Sequence, residues 1–428
     1  MTRRSLLPAL LLLLPAAAVA AQTVTLTCGA NLTATTLYSP ATAGFDLGTT
    51  ATVARHSCSS DRPFFVSFPV PEGSYRVTVT LGGPHAATTT VRAEARRLML
   101  EKIATRRGES RSFVLDVNER RPEIAGTANR VHLKPREIGN LDWDDKLTLE
   151  FNGDQPTLRS VSVEPVPPHT PTVYLAGDST VVDQDIEPWT AWGQMLPRFF
   201  LPGVVVANHA ESGETIKSFF AEQRFAKLLP LLQTGDYLLL QFNHNDQKVN
   251  PTTGVPAVTL QEYRRMVLQV VASVRAAGAT PVLVTSMNRR VFDAQGHITN
   301  TLGEYPDTLR SIAADEHVAL IDLNAMSKTL FETLGPEATL HAFMHYPANS
   351  FPNQPSAIAD DTHFNGYGAY ELARCVVHGI RAAGLPLASH LDPAVPDFDP
   401  AHPDPLATFS LPVTPIPAQT ETMKLPQT

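Results

Sequence analysis

A serine, a histidine and an aspartate stand at positions where acyl-transfer chemistry could be assembled. Ser179 lies in Gly177-Asp178-Ser179-Thr180, directly after the apolar run Thr172–Ala176. A serine is nucleophilic at neutral pH only with a base to take its proton, and the base needs a group to orient it. His363 can serve as the base. Asp360 stands three residues earlier, so a single turn would bring its carboxylate to the ring nitrogen that faces away from the serine. Acyl transfer also needs donors for an oxyanion, and the Ser179 and Gly213 backbone N–H groups and the Asn245 amide are candidates. Two other readings of these residues stand beside this one. Gly-Asp-Ser-Thr could be only a turn and a helix N-cap. Asp246, His244, Asp360 and His363 carry metal-ligand chemistry and could form a metal site instead.

These residues need strands to hold them. From Thr172 onward, apolar runs with strand character alternate with helix-like segments, a pattern that predicts a parallel sheet of βαβ units. The expected strands are Thr172–Ala176, Val204–Asn208, Tyr237–Phe242, Pro281–Thr285 and Val318–Leu323. Ligands in such sheets bind beyond the carboxyl ends of the strands. The polar segments that follow the strands are Gly177-Asp178-Ser179, Asn208 to Gly213, Asn243 to Asp246, and Asn288-Arg289-Arg290. All would meet at one edge. Thr259 and Glu262 form a capping box for a helix with an apolar stripe from Leu260 to Val274 that stops at Gly278. A last helix is expected over Tyr367–Ala383.

Residues 22–165 read differently. Short alternating runs such as Phe64–Phe68, Tyr75–Leu81 and Phe113–Val117, separated by turn residues, predict an all-β sandwich. Residues 166–171 are proline-rich and read as a stiff linker to the α/β region over 172–385. Residues 386–428, rich in proline, read as a disordered tail. At the other end Arg3 and Arg4, the leucine-rich Leu6–Pro15 and Ala18-Val19-Ala20 make a signal peptide over 1–21, and with it a secreted or periplasmic protein. The apolar run is shorter than the ~20 residues a membrane span requires, so no membrane attachment is expected after cleavage. Export permits a Cys28–Cys58 disulfide, with Cys375 left as a buried thiol. The net charge of −8 gives no reason to expect a nucleic-acid partner. His-Glu-x-x-His, Cys-x-x-Cys and glycine-rich phosphate loops do not occur.

Taken together, Gly177-Asp178-Ser179, Gly213, Asn245-Asp246 and Asp360-x-x-His363 resemble the four blocks of the SGNH, or GDSL-type, hydrolase superfamily. The resemblance implies a flavodoxin-like three-layer α/β/α domain, preceded here by the all-β part, which is similar to galactose-binding-like modules. It implies Ser179, Asp360 and His363 as a triad, and Ser179, Gly213 and Asn245 as the oxyanion hole. In the third block Asn243 occupies a position that is usually glycine. Trp192-Gly193-Gln194, Gln241 to Lys248, Thr301 to Pro306, Phe343-Met344-His345 and Asp360 to Asn365 are further similar to rhamnogalacturonan acetylesterases of carbohydrate esterase family 12. This implies a serine esterase acting on an acetylated plant polysaccharide, with no metal or organic cofactor. Arg289 and Arg290 could pair with uronate carboxylates. Trp189 could stack on sugar rings, His244 and His345 could touch substrate, and Trp192 is expected to pack internally. An acetylxylan esterase, a general carboxylesterase or lipase, and an inactive carbohydrate-binding protein are the competing readings.

Overall fold

The structure is a computed structural model that describes residues 23–352 and 354–415; the expected signal peptide lies outside the described residues. Thr172–Gly177 is buried along its whole length. Its alternate residues serve two cores: Val173 and Leu175 face one apolar cluster, Tyr174 and Ala176 the other. That two-sided burial is what an apolar run without polar alternation requires. Thr172–Gly177 pairs in parallel with Val205–Asn208 on one side and Tyr237–Gln241 on the other, and Thr280–Val284 and Ala319–Ile321 follow. The order 2-1-3-4-5 is that of a flavodoxin-like sheet. Helices Trp192–Met195, Leu323–Thr339 and Gly366–Ala382 pack on one face. Ile216–Ala221, Arg224–Leu228, Leu260–Ala276 and Tyr305–Glu316 pack on the other. The capping box at Thr259 and Glu262 is formed, and Tyr263, Met266, Val267, Val270, Val271 and Val274 make the buried stripe.

The β-rich region has two larger antiparallel sheets and a small one of Thr157–Leu158, Ser57–Ser59 and Thr52–Ala54, and all three contribute to one core that includes Phe68, Val77, Val79, Leu147, Leu149, Cys58 and Leu158. The first sheet holds Val24–Thr27, Ser160–Pro165, Gly73–Leu81 and Arg111–Glu119. It does not end there. Val117 pairs with Val206, so these four strands and the five parallel ones form a single nine-stranded sheet. The second sheet runs Gly44–Asp46, Phe64–Pro69, Lys146–Asp154, Ala87–Ala93, Arg97–Thr105. Leu98 from its last strand is buried among Met195, Leu196 and Phe199.

The disorder expected over 386–428 is corrected by the structure for residues 386–415, and residues 416–428 lie outside the described residues. Residues 386–415 run as a strap across the molecule. Leu387, Leu391 and Phe398 are buried in the core beside the last helix. Arg374 lies 4.3 Å over the Phe398 ring. The strap ends on the second β-sheet, where Arg92 donates to the Thr414 hydroxyl (3.0 Å) and the Pro412 carbonyl (2.6 Å). Proline-rich composition suggested an unfolded segment, but proline also lowers the entropy lost on ordering, and an apolar anchor every few residues supplies the burial. Among the described residues no helix is long and apolar enough to cross a membrane.

Cys28 and Cys58 are joined by a disulfide across a Cα separation of 5.6 Å, and Cys375 is free and buried. Closing a loop of 30 residues is worth about 2–4 kcal/mol. Denatured, unreduced protein is expected to titrate one thiol per chain, and Cys28→Ser to lose stability of that order in urea unfolding. Three titratable thiols would exclude the bridge.

Candidate active site

The strand Thr172–Gly177 delivers Ser179 through a tight turn in which Val181 and Val182 N–H both donate to the Asp178 carbonyl (3.0 and 3.1 Å). Glycine at 177 is required by space. A Cβ there would sit 2.6 Å from the Val181 side chain and 2.7 Å from the Gln241 carbonyl. Asp178 accepts from Thr180 N–H at 3.0 Å and from its hydroxyl at 2.8 Å. Gln184 Nε2 donates to the Ser179 carbonyl at 2.9 Å. These bonds fix the turn from beneath and leave the Ser179 N–H without a partner among the described residues.

Asp360 and His363 come from the strand Ile358–Phe364, which pairs with Phe343–Tyr346. In a regular strand residues three apart point to opposite faces. Here Met344 pairs with Asp360 while Phe343 pairs with Phe364, so residues 361–363 bulge out of the ladder. Asp360 Oδ1 accepts from the Thr362 and His363 N–H groups at 2.7 and 3.0 Å, and this turn brings the two side chains together. His363 Nδ1 lies 2.7 Å from Asp360 Oδ2, and Nε2 lies 2.8 Å from Ser179 Oγ. Burial pushes the Asp360 carboxyl up, but the His363 hydrogen bond and charge and the two backbone donors outweigh it and hold the group at about 2. An ionised carboxylate only accepts, so Nδ1 carries the proton and Nε2 is left to accept from the serine hydroxyl.

Two further strand-end loops adjoin. Glu211 N–H donates to the Gly177 carbonyl (3.1 Å), which sets the 211–214 loop beside the nucleophile turn. Gly213 has φ +78°, a conformation that favours glycine, and its N–H has no partner among the described residues. Asn245 Nδ2 donates to the Glu214 carbonyl at 2.9 Å and has a second N–H to offer. Asp246 Oδ1 accepts from Ile216 N–H at 2.8 Å, tying the Asn245 loop to the start of Ile216–Ala221. The site therefore holds an activated hydroxyl next to two orphan backbone donors and an anchored amide.

Residues 175–369 match the GDSL-like lipase/acylhydrolase family. The chain is 44% identical over 221 residues to the rhamnogalacturonan acetylesterase RhgT of Bacillus subtilis (strain 168), covering 51% of this chain and 93% of that one. It is 33% identical to a probable rhamnogalacturonan acetylesterase, YesY, of the same organism, over 51% of this chain and 96% of that one. A longer match, 27% identical and spanning 74% of each chain, is to the uncharacterized esterase YxiM of Bacillus subtilis (strain 168). The chain belongs to the GDSL-like lipase/acylhydrolase family. It is a carboxylic ester hydrolase of the SGNH type that resembles rhamnogalacturonan acetylesterases.

The side chains expected to touch substrate have partners within the chain. His244 is buried, with Nε2 3.3 Å from the Met287 sulfur, and burial and the nearby Arg289 charge hold its pKa well below the usual histidine value. Arg289 turns inward and donates to the His244 carbonyl (3.0 Å) and the Thr301 carbonyl (3.2 Å). Arg290 and His345 share one partner, Asp361 Oδ1, at 3.0 and 2.8 Å. Trp189 is buried, so its ring is not open to a sugar. Trp192 is internal, and its indole N–H donates to Gln241 Oε1 at 3.0 Å. The metal alternative also loses its basis: His244 faces Met287, Asp246 caps Ile216, and Asp360 and His363 bond each other.

Sequence reasoning missed two cations at the site. Lys134 and Arg136, from the β-rich region, both donate to the Ser212 carbonyl. They lie more than seventy positions from it in the chain, in a segment with no chemical motif, and no sequence signal points to them.

Asp246 allows a pH test. Burial drives its carboxyl up to about 8 against the Ile216 N–H bond, and the Asp178 charge adds to the rise. Below the ordinary value of 3.8 folded and unfolded chains are both protonated. Between there and about 8 the unfolded chain releases a proton that the folded chain retains, so this group's contribution to stability falls as pH rises. Asp246→Asn keeps the Oδ1 acceptor and removes the titration. Its stability relative to wild type is expected to improve by at least about 1 kcal/mol between pH 5 and pH 8 in urea unfolding. A constant difference would mean that the carboxyl ionises normally.

Proposed function

We propose that this hydrolase is a secreted serine esterase that removes O-acetyl groups from rhamnogalacturonan, the acetylated backbone of pectin. The observation that carries the reading is the hydrogen-bonded series Ser179–His363–Asp360, at 2.8 and 2.7 Å. The substrate class is supported by the 44% identity to a rhamnogalacturonan acetylesterase. Secretion is supported by Arg3, Arg4 and the apolar Leu6–Pro15 ahead of Ala18-Val19-Ala20.

In this mechanism Ser179 Oγ attacks the acetyl carbonyl carbon while its proton passes to His363 Nε2. The carbonyl oxygen becomes an oxyanion held by the Ser179 and Gly213 N–H groups and the Asn245 amide. These groups are fixed before substrate arrives, so no reorganisation is needed as charge develops. Asp360 stabilises the imidazolium. The tetrahedral intermediate collapses, the bond to the sugar oxygen breaks, and that oxygen takes the proton from His363. Water then attacks the acetyl-enzyme, giving its proton to His363, and acetate leaves as the proton returns to Ser179. Protein charge and hydrogen bonds supply every step.

The test is acetate release from acetylated rhamnogalacturonan and acetylated xylan by full-length protein. Ser179→Ala is expected to lower kcat by at least about 10³-fold, and Asp360→Asn by about 10²–10⁴-fold, both on rhamnogalacturonan. Equal release by wild type and Ser179→Ala would overturn the triad, and a faster reaction on xylan would overturn the polymer assignment.

A further inference from the structure

The Ser212–Gly213 peptide is gripped at its oxygen by two cations that come from the β-rich region, outside residues 175–369. Lys134 Nζ donates to the Ser212 carbonyl at 2.8 Å, and Arg136 Nη2 donates to the same oxygen. Both cations are aimed by carboxylates of the loop they touch. Arg136 Nε donates to Glu211 Oε1 at 2.7 Å, and Lys134 pairs with the fully buried Glu214. The segment that carries them, residues 134–137, is clamped in turn. Glu137 takes a two-pronged bond from Arg224 of the helix Arg224–Leu228, at 3.0 and 2.6 Å, and accepts from Lys134 N–H at 2.8 Å.

The far end of that peptide is the Gly213 N–H. A peptide is one conjugated unit, so charge drawn toward its oxygen is drawn from its nitrogen. Charge-assisted donation to the carbonyl makes the N–H a stronger donor, and hydrogen bonds in series reinforce one another. Two donors on one oxygen also fix the plane of the peptide, and so the direction of the N–H. A Cβ on Gly213 would lie 3.8 Å from Arg136 Nη2 and 3.9 Å from Lys134 Nζ, so the cations sit immediately behind the glycine.

We propose that Lys134 and Arg136 are positioning residues for ester hydrolysis, acting through the Ser212–Gly213 peptide to orient and polarise the Gly213 oxyanion donor. The β-rich region is thereby part of the catalytic apparatus. The inference rests on the proposed role of Gly213. It differs from a role in binding uronate carboxylates, because polarisation acts on the transition state of any ester.

The experiment uses full-length protein and p-nitrophenyl acetate, which is neutral and carries no carboxylate, with thermal melting to verify folding. Lys134→Gln and Arg136→Gln are each expected to lower kcat about tenfold with KM within about twofold, a fraction of the loss from deleting an oxyanion donor outright. Unchanged kcat in folded variants overturns the proposal. So does a defect seen only as raised KM on the acidic polymer, which would make these residues substrate contacts. If a Gln variant does not fold, Arg136→Lys decides. It keeps a charge for Glu211 but lacks the fork that reaches Ser212 at the same time, and a several-fold fall in kcat at constant KM supports the proposal while wild-type kcat overturns it. Ser179→Ala separates the two levels. An active Ser179→Ala overturns the esterase mechanism itself, whereas an inactive one beside a wild-type-like Arg136→Gln overturns only this inference.

Discussion

Arg97 is buried to 2% side-chain exposure, and the arrangement of the site depends on it. Its Nε lies 2.6 Å from Asp183 and its Nη2 2.7 Å from Asp142. Asp183 is four residues past Ser179 and also accepts from Asn208, at the end of the second parallel strand, at 2.7 Å. One guanidinium from the second β-sheet therefore holds the nucleophile loop against the neighbouring strand. Burial opposes the charge on Arg97, but Asp142, Asp183 and Glu94 together push its pKa further up. A buried cation of this kind is tolerable only with all its partners present, and losing one member of such a pair costs about 3–5 kcal/mol. The geometry around Ser179 is thus coupled to residues that look, in sequence, like part of another domain.

That coupling has a backbone counterpart. The Val117–Val206 pairing runs one sheet through both regions, and the strap from residue 386 crosses back to the second sheet. Burial of Leu98 among the hydrolase helices adds an apolar seam. Interfaces between independent domains are usually more polar and leave freedom of relative motion. Here a shared sheet, a shared core and buried ion pairs remove that freedom. The result is a rigid frame under the three strand-end loops that carry Ser179, Gly213 and Asn245.

What was legible in the sequence is what local patterning controls. All-apolar runs mark strands buried on both faces, and the five parallel strands lie within a few residues of their expected positions. Strand order in such a fold puts polar loops at one edge, which is why Ser179 and His363 could be paired across 184 positions. The Asp360–His363 contact was legible because it is local. The internal partners of the side chains expected at substrate were not. Arg289, Arg290, His244 and His345 have suitable chemistry at suitable strand ends, but the chain supplies its own partners for them: Thr301, Asp361 and Met287. Sequence shows what a side chain can bind, and only packing decides whether that capacity is already used. The strap escapes a reading by composition for a related reason. Composition averages a segment's apolar content, whereas docking depends on where Leu387, Leu391 and Phe398 fall along it.

The same reasoning bears on the groups that remain unpaired. Buried donors are almost always satisfied, and an exception calls for a reason. The groups that hold the two loops are engaged: Asp178 Oδ1 by Thr180, the Ser179 carbonyl by Gln184, the Ser212 carbonyl by Lys134 and Arg136. The N–H groups of Ser179 and Gly213 stand without partners among the described residues. The bonds on the Ser179 and Ser212 carbonyls hold the peptides that carry these two donors. An ester carbonyl that becomes an oxyanion would complete the network, so the binding free energy left unused in the resting enzyme is realised where charge develops, in the transition state.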